Sequence, residues 1–279
     1  MLTKAQAWFN LGKSNLLSGK SYESLNDYAK GIQLTSNEEL IKTTQNHLSQ
    51  IIQKQNTLPR YQWVQKLLQI GLATKFPSTN DGRAALEQIR RLSPFVLKPI
   101  NRPVVILAGG CSAEFESQMP IYSRVIVEAF HDYEGTIISG GTTSGISGLI
   151  GEVQQEYPNK IHTIGYVPKN KTDLVDKRYR EIRLTEGEEE FSPAEPMQYW
   201  IDLIASNIEP SVVKLLGVNG GRISALEYRI SLSLGAQVAV VDGSGLEADN
   251  LLADNDWNES PNLYILSNDP LGVRQFVMM

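Results

Sequence analysis

Two hydrophobic rhythms divide the chain near residue 100. In "AQAWFNLGKSNLLSGKSYESLNDYAKGIQL" apolar residues recur at helical spacing, with Trp8, Leu11 and Leu16 on one segment and Tyr22, Leu25 and Tyr28 on the next; "SGKSY" breaks the pattern between them. "EELIKTTQNHLSQIIQKQ", "YQWVQKLLQIGLATKF" and "DGRAALEQIRRL" keep the same period, the last with Asp81 as its expected cap. No run in this part reads as a strand. "SPFVLKPINRP" follows, and three prolines in so short a span exclude helix and predict an extended linker. Beyond it, short apolar runs alternate with amphipathic segments. The runs are "PVVILAG", "TIISGG", "KIHTIGYVP", "VVKLLGVNGG", "AQVAVVDGSG" and "NLYILSND"; helical spacing fills Ile121 to Tyr133, Ile146 to Tyr157, Met197 to Ile208 and Ile223 to Leu234. Continuous apolar strands separated by helices imply a parallel sheet covered on both faces. The expected fold class is therefore α/β, a doubly wound Rossmann-like sheet over residues 101–279, preceded by a small all-α domain over residues 1–95.

Composition narrows the function. The 279 residues are 41% hydrophobic and 20% charged, ordinary globular usage. Cys111 is the sole cysteine, so no internal disulfide can form. The first residues lack a secretory pattern, and no run approaches the ~18 apolar residues that span a bilayer. A cytoplasmic protein without direct membrane contact is expected. Charge changes where the rhythm does: residues 1–100 carry 13 basic against 6 acidic side chains, and residues 101–279 carry 13 against 25. The basic charges are scattered over helical faces without interleaved aromatics, which disfavours nucleic acid as a partner.

Ligands of doubly wound sheets sit outside the carboxyl ends of the strands. Glycine marks four such ends here, at Gly109-Gly110, Gly140-Gly141, Gly220-Gly221 and in "DGSG" at 242–245. Each could be a simple turn. Several glycine pairs on one sheet edge also suit an anion, because a backbone without side chains lets N–H groups approach it. "TIISGGTTSGISGLIGE" at 136–152 is the richest of them. Its hydroxyls at Thr142, Thr143 and Ser144 precede a helix start, where unpaired N–H groups and the dipole favour phosphate. Gly145, Gly148 and Gly151 share a helical face that would let the helix approach the sheet. The spacing is neither GxGxxG nor GxxxxGK[ST], and no lysine follows to reach a terminal phosphate.

Three ordered stretches, "VVILAGGCSAEF", "TIISGGTTSGISGLIGE" and "LLGVNGGRISALEY" followed by "AQVAVVDGSG", resemble the SLOG superfamily, which includes the LOG cytokinin-activating enzymes, DprA proteins and the N-terminal sensor region of TRPM channels. The middle stretch is most similar to the TRPM branch. That resemblance implies a sensor or effector subunit binding ADP-ribose, cyclic ADP-ribose, NAD or a related nucleotide signal, with no further cofactor, and a role in bacterial antiphage signalling. The implied ligand-binding residues are Gly109, Gly110, Cys111, Ser112, Gly140, Gly141, Thr142, Thr143, Ser144, Gly145, Gly220, Gly221, Arg222, Ser224 and Glu227. Gly220, Gly221, Ser224 and Glu227 fall on the Gly, Gly, Thr and Glu of the LOG motif PGGxGTxxE, while Asn219 and Ile223 replace its Pro and inner Gly. LOG enzymes pair that glutamate with an arginine on the preceding helix to cut an N-glycosidic bond. "MQYWIDLIASNIEPSVV" has no Arg, Lys or His, so binding is the expected activity and a LOG-like phosphoribohydrolase acting through Glu227 the alternative. Glu227 could instead pair with Arg229, and Arg222 could clamp a phosphate or stand in solvent. Trp8, Leu11, Gly12 and Tyr28 resemble a tetratricopeptide repeat, which implies that the helical part docks a protein partner or a second copy, as a homo-oligomer. No metal cluster is visible; His131 and His162 read as structural, and "EGEEE" at 186–190 as a solvated loop.

Overall fold

The computed structural model describes residues 3–54, 60–110, 117–187 and 190–279. Five helices open the chain: α1 (Lys4–Leu17), α2 (Ser21–Leu34), α3 (Glu38–Lys54), α4 (Tyr61–Lys75) and α5 (Asn80–Leu92). Seven strands follow: β1 (Val104–Gly109), β2 (Gly135–Ser139), β3 (Ile161–Pro168), β4 (Glu181–Thr185), β5 (Val213–Val218), β6 (Gln237–Val241) and β7 (Leu263–Leu266). Between and after them run α6 (Met119–Ala129), α7 (Gly145–Glu156), α8 (Ala194–Ala205), α9 (Arg222–Leu234), α10 (Leu246–Ala253) and α11 (Pro270–Met278). All strand pairs are parallel, in the order β4-β3-β2-β1-β5-β6-β7. The α/β doubly wound Rossmann-like class is thus the observed one. Chain order reverses between β1 and β5, whose ends align with Gly109 opposite Val218.

Alternation along the strands splits the core. Val105 and Leu107 face α6, α7 and α11, while Val104, Ile106 and Ala108 face the opposite side. On that second face α8, α9 and α10 lie on the sheet, and α2, α4 and α5 pack on α8 and α9. The apolar residues of α1–α5 and of this face form one continuous cluster, from Phe9 to Trp257. Polar ties reinforce it: Gln33 Nε2 donates to Ser260 Oγ at 2.9 Å, and Lys30 donates to the Asp256 carbonyl while lying over the Trp257 ring.

The first two helices form an antiparallel hairpin in which Phe9 meets Gly31, Gly12 meets Tyr28, and Asn15 Nδ2 donates to Asp27 at 2.7 Å. The buried stripe of α1 differs from the expected one. Phe9 and Leu16 are buried, Trp8 is partly exposed and Leu11 is 47% exposed. In α5 the cap is Thr79, whose Oγ1 accepts from the Gly82 amide at 3.0 Å; Asp81 lies in the first turn instead. A hydroxyl two residues earlier wins because it reaches the orphan amide directly.

The proline-rich stretch is a turn rather than an extended segment, with Lys98 N donating to Phe95 O at 2.8 Å. It is clamped by Arg183, 1% exposed, whose guanidinium reaches Glu181 at 2.8 Å, Asp202 at 3.1 Å, Tyr166 Oη at 3.2 Å and the Lys98 carbonyl at 2.8 Å, and lies over the Phe95 ring. Asp202 also accepts from Ser93 Oγ at 2.8 Å and Tyr166 Oη at 2.7 Å. Charges removed from water need this many partners. No helix among the described residues is long and apolar enough to cross a membrane.

Candidate ligand-binding site

A cavity of about 560 Å³ opens where the strand order reverses, within the 300–1,000 Å³ typical of ligand sites. Its walls come from the β1 end (Leu107 to Gly110), the β2 end (Ser139, Gly140, Thr142, Ser144), the start of α8 and the β5–α9 turn. Asn219, Gly221, Arg222, Ile223, Ser224 and Glu227 supply the last wall. The sequence reading thus converges on one cleft for Gly109, Gly110, Gly140, Thr142, Ser144, Gly221, Arg222, Ser224 and Glu227. Cys111 and Ser112 lie outside the described residues.

Gly141, Thr143, Gly145 and Gly220 do not line the cavity. Gly141 (φ +70°) lets the chain turn where an added methyl would come within 2.9 Å of the Gly165 Cα. A methyl on Gly148 would overlap the Thr143 carbonyl, and one on Gly151 would overlap the Asp176 carboxylate and crowd Arg178. These helix glycines therefore admit their own loop and the 176–178 ion pair, a correction to the expectation that they bring α7 onto the sheet. Gly109 does that instead, since its Cβ position is filled by Ile146.

The two glycine loops differ in what their amides already do. At the α7 start the Ile146 amide donates to the Gly110 carbonyl at 3.1 Å and the Thr142 amide to Ser147 Oγ at 2.9 Å, so part of the N–H supply closes the loop on itself. At the α9 start the cap is Gly221, which has no side chain to satisfy the first-turn amides, and open space surrounds the place a Cβ would take. The β5–α9 turn is fixed from behind. Asn219, in the left-handed region at φ 59°, donates from Nδ2 to the Ser244 carbonyl at 2.8 Å and from its backbone N–H to Ser244 Oγ at 2.8 Å. The amides of Glu247 and Ala248 end on the Gly220 and Asn219 carbonyls. "DGSG" is thereby a brace for the turn.

Two carboxylates line the cavity. Glu195 closes the start of α8, accepting from the Ser192 amide at 2.8 Å and from Thr185 Oγ1, the glutamate half of a capping box, and burial still raises its pKa. Glu227 has far fewer partners. Burial, reinforced by the nearby negative charge of Glu195, pushes its carboxyl up to about 7, and Tyr199 Oη lies 3.5 Å from it. Glu227 is not paired with Arg229, which instead reaches Asp254 at 3.0 Å and Glu247 at 3.6 Å. Arg222 is exposed at the mouth, its guanidinium 4.1 Å from the Tyr22 ring centroid. It is the sole basic side chain among the described residues of the lining.

Tyr22, Tyr166, Phe191, Glu195, Pro196 and Tyr199 also line the cavity and were not singled out by sequence. Tyr22 read as a helix-core residue 200 positions from Arg222 in sequence, and nothing local ties the two. Glu195 carried one signal, the S-x-x-E pattern of Ser192 to Glu195 before an apolar run. His131 and His162 stay out of the cleft, paired with Asp132 at 2.8 Å and Glu181 at 3.3 Å. The described part of "EGEEE" pairs Glu186 with Lys169 and Glu190 with Lys171. Among the described residues no group of His, Cys, Asp and Glu could hold a metal ion.

Fold and cleft together define a Rossmann-like ligand-binding protein, its pocket at the reversal of strand order. The family profile described as SLOG in TRPM, prokaryote, matches residues 102–268, and the chain belongs to that family. Such domains bind nucleotide-related ligands. Similar solved structures include the molybdenum cofactor carrier protein from Chlamydomonas reinhardtii, 16% identical over 64% of this chain and 100% of that one with a TM-score of 0.46. Another is the molybdenum cofactor binding protein from the phototrophic bacterium Rippkaea orientalis, 15% identical over 64% of this chain and 96% of that one, with a TM-score of 0.44. No curated protein matches the sequence.

Proposed function

We propose that the cleft binds a nucleotide-derived signal of the ADP-ribose type and that the chain acts as a sensor or effector subunit. The observation that carries this reading is the open start of α9: Gly221, Arg222 and Ser224 line the cavity, with Glu227 further along the same helix. Helix-start amides and a guanidinium suit a pyrophosphate, and a carboxylate suits ribose hydroxyls. ADP-ribose, cyclic ADP-ribose and NAD all combine these groups. The SLOG family membership supports the ligand class, and antiphage signalling is the setting that fits it. The helical layer would pass the bound state to a partner or a second copy. A thermal-shift panel of ADP-ribose, NAD, cyclic dinucleotides and AMP is expected to raise the melting midpoint for at least one dinucleotide-like compound; a flat panel would refute the reading. Sizing with and without the hit tests self-assembly.

One observation favours a second reading. Glu227 holds its proton near neutrality beside Tyr199, a state suited to general acid-base work on an N-glycosidic bond. The wall supplied by α8 presents Glu195, Pro196 and Tyr199, with no cation for the leaving group. Chromatography detecting free base from AMP or NAD, abolished in Glu227→Gln, would establish hydrolysis.

A further inference from the structure

We infer that Tyr22, on the second helix of the N-terminal layer, is a positioning residue of the nucleotide cleft: its ring holds the Arg222 guanidinium over the mouth, ready for a ligand's phosphates. The inference rests on the nucleotide reading above. Three observations carry it. Tyr22 lines the same cavity as the glycine loops, although it comes from outside the sheet domain. The Arg222 guanidinium carbon lies over that ring, 4.1 Å from its centroid, and the ring is itself set edge-on against Trp63, 6.0 Å away at 80°. Trp63 is buried on α4, so the platform is anchored in the core of the helical layer. A guanidinium stacked on an aromatic keeps its N–H edges available, because the stack uses its face and the hydrogen bonds its rim. Arg222 can thus stay on Tyr22 and grip a phosphate at once.

Charge explains why the cleft needs such a device. Arg222 is the sole cation among the described lining residues, so the electrostatic grip on an anion falls to this one side chain. An exposed arginine left to itself loses much rotamer freedom on gripping an anion. Stacking removes part of that freedom beforehand. It also ties the cleft to α2, which packs on α9, so ligand-linked movement of Arg222 is felt first in the helical layer.

The test uses the full-length chain and two probes, ADP-ribose and inorganic pyrophosphate, in titration calorimetry of wild type, Tyr22→Phe, Tyr22→Ala, Arg222→Ala and the Tyr22→Ala/Arg222→Ala double variant. Tyr22→Ala is expected to weaken both probes about tenfold, Tyr22→Phe to bind as wild type, and the double variant to bind no more weakly than Arg222→Ala alone. Adenosine, which lacks phosphate, is expected to be unaffected by either loss, a result that general disruption of the fold would not give. If both probes bind wild type and Tyr22→Ala equally, the role of Tyr22 is overturned while the nucleotide reading stands. Pyrophosphate binding that depends on Tyr22, with no nucleotide bound, would support the platform and refute the nucleotide reading. Binding of neither probe to wild type overturns both.

Discussion

Glu227 shows how far a single residue can be read. Its place in the GGxxSxxE spacing marks it as a site residue, but its protonation is set by burial and by Glu195, which arrive from elsewhere in the fold. A carboxyl that is raised from its ordinary range to about 7 binds its proton more tightly folded than unfolded. Its contribution to stability is complete at acid pH below the unfolded value and is lost as pH climbs through about 7. Urea denaturation at pH 5 and pH 8 is therefore expected to show a fall in stability with pH, of which Glu227→Gln removes about 1–3 kcal/mol. Ligand binding should run the other way. If the carboxylate accepts ribose hydroxyls, ADP-ribose affinity rises between pH 6 and pH 8, and the glutamine variant loses that dependence. Equal slopes for wild type and variant would assign the titration to another group.

Individual elements were legible in proportion to how regularly they bury. Six strands and four interior helices follow from continuous apolar runs and helical spacing. β4, "EIRLT", escaped because an edge strand keeps Leu184 45% exposed and mixes charge into its pattern. On α1 the expected stripe of Trp8, Leu11 and Leu16 holds at Leu16 but is one position off in its first turns, since Trp8 and Phe9 are both large and apolar and only the Gly31 and Tyr28 contacts of α2 choose between them. The glycines were all visible, yet their roles divide by geometry. Gly148→Ala drives a methyl into the Thr143 carbonyl and is expected to cost about 1–3 kcal/mol, shifting the thermal midpoint down by several degrees. Gly221→Ala meets nothing within 4 Å, so its stability should stay within about 1 kcal/mol of wild type while the affinity for ADP-ribose drops, because the methyl stands in the cleft. Loss of stability in Gly221→Ala with unchanged affinity would contradict that assignment.

At the scale of the whole molecule, the helices and one face of the sheet share one apolar cluster, and Arg183 locks the connecting turn to the sheet edge and α8. Unfolding in urea is expected to be a single transition by both fluorescence and circular dichroism. Arg183→Met leaves Asp202 and Glu181 without their buried cation and should lower stability by about 3 kcal/mol or more. Two separated transitions would mean that the shared core does not couple the parts. The sequence alone determined the α/β class, the change of character near residue 100, and the glycine turns with Arg222 and Glu227, because period, proline and glycine act through neighbours along the chain. Tertiary structure alone decided that Tyr22 meets Arg222, that Glu195 raises the proton affinity of Glu227, and which amides each loop keeps for itself. Those depend on contacts between segments up to 200 residues apart, and no local pattern encodes which distant surfaces will bury one another.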